Sequence, residues 1–254
     1  MAHTDKQTAF RLGVLIFVYL AILTALEFYV AVAVPSVVVL SLIALAKAGL
    51  VVYYYMHIYR LYQETETDPN SYEYKAGTLR LGLWLFLLSD AFVFGGLAVA
   101  RFNLWGMTRP PFNQVLGLII TSVLLVSSFF MNRAETAMAH GDRRNFVISL
   151  VITLLLGIGF LVGVIGIEWP SAIREGITPS ANTFGAVFFM MTGMHGFHVL
   201  TGVIFLLIVL RNGLRGLYSA ERHRAVEAAA VYWHFVDVVW IFFYPALYLI
   251  GTVV

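Results

Sequence analysis

The sequence predicts an all-α integral membrane protein of about seven transmembrane helices, a two-helix hairpin followed by a five-helix bundle. Three observations carry this. Apolar residues make up 60% of the chain and charged residues 12%, against roughly a quarter charged in soluble domains. Apolar runs of bilayer length recur from end to end, each bounded by charge, Pro, Gly or Asn. No run shows the alternation of a lipid-facing barrel strand.

The runs fall at about 10–34, 37–59, 79–100, 113–132, 145–167, 183–210 and 228–253, and about 20 apolar residues cross the hydrocarbon core. The first, in MAHTDKQTAFRLGVLIF, exceeds a signal-peptide core and has no small-residue cleavage site, so a retained helix is expected. The second follows immediately after Pro35-Ser36, which predicts a tight hairpin. RLYQETETDPNSYEYKAG (60–77) is the longest and most acidic connector. It separates a hairpin (1–62) and linker (63–77) from a bundle (78–254). In the bundle, Gly157, Gly159, Gly163 and Gly166 of the fifth helix and Gly193, Gly196 and Gly202 of the sixth suit close helix contact. Trp84, Trp105, Trp169 and Tyr218 sit near helix ends, as interfacial anchors do.

Lys6, Arg11, Arg60, Lys75, Arg80, Arg133, Arg143, Arg144, Arg211, Arg215, Arg222 and Arg224 would share one side, and only Arg101, Arg109 and Arg174 the other. This bias predicts a cytoplasmic N-terminus and, with an odd number of spans, an outside C-terminus. The chain has no cysteine, which excludes disulfides, thiolate metal sites and C-x-x-C-H haem attachment. No basic cluster with interleaved aromatics supports nucleic-acid binding.

The polar residues left inside the spans are Glu27, Lys47, His57, Asp90, His195, His198, Glu227, His234 and Asp237. Insertion scales put Asp, Lys or Arg at mid-bilayer at roughly +2.5 to +3.5 kcal/mol each, so such groups face protein or water and pair. At about 1.5 Å per residue, Asp90, the His195/His198 turn and the His234/Asp237 turn reach one depth, and a single buried polar cluster is expected. H-x-x-H occurs once, without the E-x-x-H repeats of di-metal sites. Haem needs only one or two axial histidines, so spacing leaves open a ligand set, a proton route and a structural hydrogen-bonded network. Met190, Met191 and Met194 border the histidines and read as packing.

EWPSAIREGITPSANTFGAVFFMMTGMHGFHVLTG (168–202) and VEAAAVYWHFVDVVWIFFYPALYLIG (226–251) closely resemble subunit III of haem–copper respiratory oxidases. LRLGLWLFLLSDAFVFGGL (79–97) is similar to that family's helix with a Ser-acid pair, here Ser89-Asp90. ALAKAGLVVYYYMHIYRL (44–61) resembles the lysine-bearing helix of the small bacterial oxidase subunit IV, so the chain reads as a IV/III fusion. The resemblance implies a bacterial inner-membrane accessory subunit with no catalytic residue, cofactor or metal of its own. It implies haem and copper in partner subunits I and II, bound phospholipid, a stabilising role during turnover and help with proton uptake. Asp90 stands where many family members carry Glu, a shorter reach that puts a carried-over proton role in doubt. Two alternatives remain, an accessory subunit of a nitric oxide reductase and a stand-alone membrane metalloenzyme using His195, His198 and His234.

Overall fold

The structure, a computed structural model, describes residues 6–34, 36–62, 68 and 70–253. Among them seven helical spans are long and apolar enough to cross a membrane. The helices are α1 (Lys6–Ala33), α2 (Val37–Leu50), α3 (Tyr72–Trp105), α4 (Gln114–Ala139), α5 (Arg143–Leu161), α6 (Trp169–Arg174), α7 (Thr183–Leu214) and α8 (Arg224–Tyr244). Three π-helical turns extend them, Val51–Tyr55 after α2, Val162–Glu168 joining α5 to α6 in one span, and Pro245–Leu249 after α8.

Short polar side chains start these helices. Ser71, Asn113 and Asn182 accept the amides of Tyr74, Leu116 and Gly185 at 3.0, 3.0 and 2.8 Å, satisfying donors that have no partner within the first turn. Asp142 accepts Asn145 N at 3.0 Å in the same way. Gly141, at φ 70°, closes α4 in the left-handed conformation that favours glycine. Beyond the π-turn that follows α2 the left-handed residue is His57, a non-glycine at φ 51°.

The helices outrun the expected spans because their ends continue past the apolar stretch. Residues 72–77, expected in the linker, already belong to α3, while 63–67 and 69 lie outside the described residues, as does Pro35 of the expected hairpin turn. α3 also runs on to Trp105, carrying Arg101 inside the protein rather than into an outer loop. Trp105 is buried too, its indole donating to Thr183 O at 3.3 Å, and so is no interfacial anchor. A short parallel pairing of β1 (Thr108–Arg109) with β2 (Thr252–Val253) ties the α3–α4 loop to the C-terminal end, a contact that two-residue strands give no pattern to foresee.

α8 is the centre of the molecule, packing on α2, α3, α4 and α7. The hairpin closes on the bundle as α1 packs along α4 and α2 along α8. The expected basic side forms one end of the bundle. There Lys6 of α1 pairs with Asp142 before α5, Arg143 donates to Leu214 O at the end of α7, and Arg224 donates to Lys75 O at 3.0 Å.

Candidate functional site

The membrane-buried polar residues begin with α8, whose Glu227, His234, Asp237 and Tyr244, followed by Tyr248 of its π-turn, recur at helical spacing. This stripe meets the hairpin and α4. Lys47 Nζ of α2 donates to Glu27 Oε2 of α1 at 2.5 Å, with 1% and 0% of the two side chains exposed. Asp237 lies close enough to Lys47 to act on it electrostatically. The Ser128 hydroxyl of α4 contacts both Asp237 and His234, the latter through Nδ1 at 3.3 Å. The π-turn after α2 brings Tyr55 in beside them, its ring 5.1 Å from that of His234 and its hydroxyl donating to Gly13 O at 3.1 Å. Hairpin and bundle thus share one buried polar seam. Desolvation of so many charges is compensated only where partners meet.

Asp90 and His198 form a second site on the other side of α8. His198 Nε2 lies 3.4 Å from Asp90 Oδ2, joining α7 to α3, with the side chains 13% and 19% exposed. His198 Nδ1 sits 2.8 Å from Met194 O; a carbonyl only accepts, so Nδ1 carries a proton. Tyr232 of α8 flanks the pair, with its hydroxyl 2.6 Å from Thr201 Oγ1 and donating to His198 O at 3.3 Å.

His195, one helical turn from His198, points elsewhere. It is completely buried and makes no hydrogen bond among the described residues. Its ring packs among Phe160, Trp240 and Phe243 at centroid distances of 5.3, 4.9 and 6.3 Å. The expected single cluster is therefore divided. Depth along the helices is shared, but azimuth sends Asp90 with His198, His195 into aromatics, and His234 with Asp237 toward the hairpin. Glu227 occupies a fourth place, the basic end. It meets Arg60 and Arg80 at 3.0 Å each, while Arg60 also reaches Glu135 at 3.4 Å. His57 lies 3.9 Å from Glu135. Burial, reinforced by the Arg60 guanidinium, holds the His57 imidazole down to about 3. Burial works against the Arg60 charge, but Glu135 and Glu227 outweigh it and raise its pKa.

Sequence reasoning passed over three buried groups, Arg101, Glu135 and Glu168, because each fell at or beyond the edge of an apolar run. Arg101 is fully buried and donates to the carbonyls of Ala246 (2.5 Å), Ile250 (2.6 Å), Gly106 (2.8 Å) and Thr108 (3.3 Å). Glu168 accepts from the Tyr248 hydroxyl. The signal available was charge one to three residues past a run that a tilted or lengthened helix would still include.

Two of the glycines expected at close helix contacts, Gly157 of α5 and Gly202 of α7, make room for a side chain. Gly157 and Gly202 flank the Trp233 indole, which donates to Ser127 Oγ at 3.1 Å. An apolar groove of about 470 Å³ opens between α2, α3 and α8, with Ala44, Leu45, Phe94, Phe102, Val239 and Phe242 on its walls. Among the described residues no three His, Cys, Asp or Glu side chains converge as a metal site would require.

The chain matches the family model of cytochrome c oxidase subunit III over residues 3–252, the hairpin included. It is 36% identical over 187 residues to cytochrome c oxidase subunit 3 of Oryctolagus cuniculus, covering 68% of this chain and 70% of that protein. The same protein of Papio hamadryas is 37% identical over 190 residues, with 69% and 70% covered, and that of Rattus norvegicus is 35% identical over 187 residues, with 68% and 70% covered.

Proposed function

Since the chain belongs to the cytochrome c oxidase subunit III family, we propose that it acts in a haem–copper oxidase as the accessory subunit that braces catalytic subunits I and II, which hold the haem and copper. It is a multi-pass membrane protein and a member of a multi-subunit oxidase complex. The observation that carries the bracing role is how the buried polar groups are used. Glu27, Lys47, Asp237, His234, Asp90 and His198 join helix to helix within the chain, which favours fixed register over ligand binding. Phospholipid acyl chains are the proposed occupant of the apolar groove between α2, α3 and α8. The His57, Arg60, Glu135 and Glu227 cluster, at the end we assign to the cytoplasm, is the proposed aid to proton uptake. Residues 1–62 are proposed as the subunit IV-like part, and the membrane as a bacterial inner membrane.

Purification of the complex in mild detergent with this chain as bait, followed by haem spectra and mass spectrometry, tests the reading. Subunits I and II of an oxygen reductase should co-elute; nitric oxide reductase components would change the partner. Stoichiometric iron or copper in the isolated chain would overturn the accessory role. Replacing His234 or Asp237 with an apolar residue should shorten the active life of the complex during turnover while leaving haem per subunit I unchanged.

A further inference from the structure

The groove has two walls, α2 and α3, which pack far less on each other than each packs on the α8 floor. Polar contacts tie both walls back, and α3 is held at its two ends by Arg80 to Glu227 and by Arg101 to the Ala246 and Ile250 carbonyls. Asp90 of α3 is held to His198 of α7 at 3.4 Å. Lys47 of α2 is held to Glu27 of α1 at 2.5 Å, and Asp237 of α8 is near enough to interact with it electrostatically. Ser41, Ala44 and Leu45, which line the groove, lie within two turns of Lys47 on the neighbouring face of α2. Rotation or outward movement of α2 that widens the groove must therefore draw the ammonium away from the Glu27 carboxylate. In a low-dielectric interior that leaves buried charges unpaired, which is strongly unfavourable.

We propose that Lys47 is a positioning residue: by pairing with Glu27 of α1, with the Asp237 charge near it, it fixes α2 as a wall of the groove, and so sets how tightly phospholipid acyl chains are held. The contact between α3 and α7 fixes the opposite wall, leaving α2 as the adjustable one. The consequence for lipid rests on the proposed lipid-holding role, whereas the consequence for α2 does not.

The test uses the whole oxidase complex. The chain contains no cysteine, so Val38→Cys on α2 and Val99→Cys on α3, which are 69% and 60% exposed, give one spin-label pair on it. Labelled complex lacking these two cysteines supplies the background of the partner subunits. Lys47→Met should lengthen and broaden the α2–α3 distance distribution and lower retained dioleoyl phosphatidylglycerol severalfold by native mass spectrometry. Exchanging the pair (Glu27→Lys with Lys47→Glu) keeps a bridge to α1 but sets Glu against Asp237, and should widen the groove as well. Adding Asp237→Asn to the exchange should restore the narrow distribution, which general damage to packing would not do. An unchanged distribution in assembled Lys47→Met complex overturns the proposal. If that variant fails to assemble, the exchange with and without Asp237→Asn makes the same decision, and equal distributions overturn it. If the wild-type complex retains no phosphatidylglycerol while the distances still respond, the lipid role fails and the positioning role stands.

Discussion

The Trp233 indole of α8 lies against Gly202 of α7 so closely that a Cβ on the glycine would come within 2.9 Å of its Cε3. The ring also covers Gly157 of α5 and donates to Ser127 of α4, so one side chain locks four helices. Gly202→Ala should cost about 1–3 kcal/mol through overpacking. Gly159→Ala, where no atom stands within 4 Å of the added methyl, should be neutral or slightly stabilising. Thermal dissociation of the complex compares the two; equal midpoints would remove the slot from the account.

Removing one member of the Lys47–Glu27 pair differs from removing both. Glu27→Met or Lys47→Met alone strands a charge with at most 1% of its side chain exposed, at a cost of about 3–5 kcal/mol. The Glu27→Met/Lys47→Met double variant should recover part of that. A double-mutant cycle on chain retention in the complex measures the coupling, and strict additivity would deny the pair.

Arg101 clamps the C-terminal end by donating to Ala246 and Ile250 carbonyls as well as to the α3–α4 loop. Arg101→Gln leaves several buried acceptors unmatched, each worth about 1–3 kcal/mol. Faster amide exchange should appear around residues 246–253, with α1 and α4 unaffected, when the complex is followed by hydrogen–deuterium exchange and mass spectrometry.

His57 provides an acid-sensitive contact beside Arg60. Its imidazole is held down to about 3 from an ordinary 6.5 by burial and by Arg60. Between those values the unfolded chain binds the extra proton, so stability is complete above about 6.5 and is lost as pH falls toward about 3. His57→Gln should flatten this slope. Asp142, held well below its ordinary 3.8 chiefly by the Lys6 hydrogen bond, loses its contribution only as pH falls below that value. Unfolding midpoints across the range would separate the groups, and an unchanged slope in His57→Gln would acquit the histidine.

Much of the architecture is written locally. Seven apolar runs, the Ser, Asn and Asp residues ahead of the helices and the one-sided Lys and Arg distribution determine the spans, their order and which ends lie together, because each depends on neighbours in the chain. That Asp90 and His198 stand at one level of their helices was equally legible, since rise per residue accumulates along a helix. Their partners were not. Whether His195 meets a carboxylate or Phe160 and Trp240 depends on helix rotation and crossing, and π-turns such as Val51–Tyr55 and Pro245–Leu249 shift that rotation where hydropathy carries no mark of them. The sequence by itself determined a seven-span membrane protein with titratable groups at common depths. Only the tertiary structure decided that Lys47 joins Glu27, that His198 joins Asp90, and that Arg101 turns inward, because azimuth is settled by packing among helices far apart in the chain.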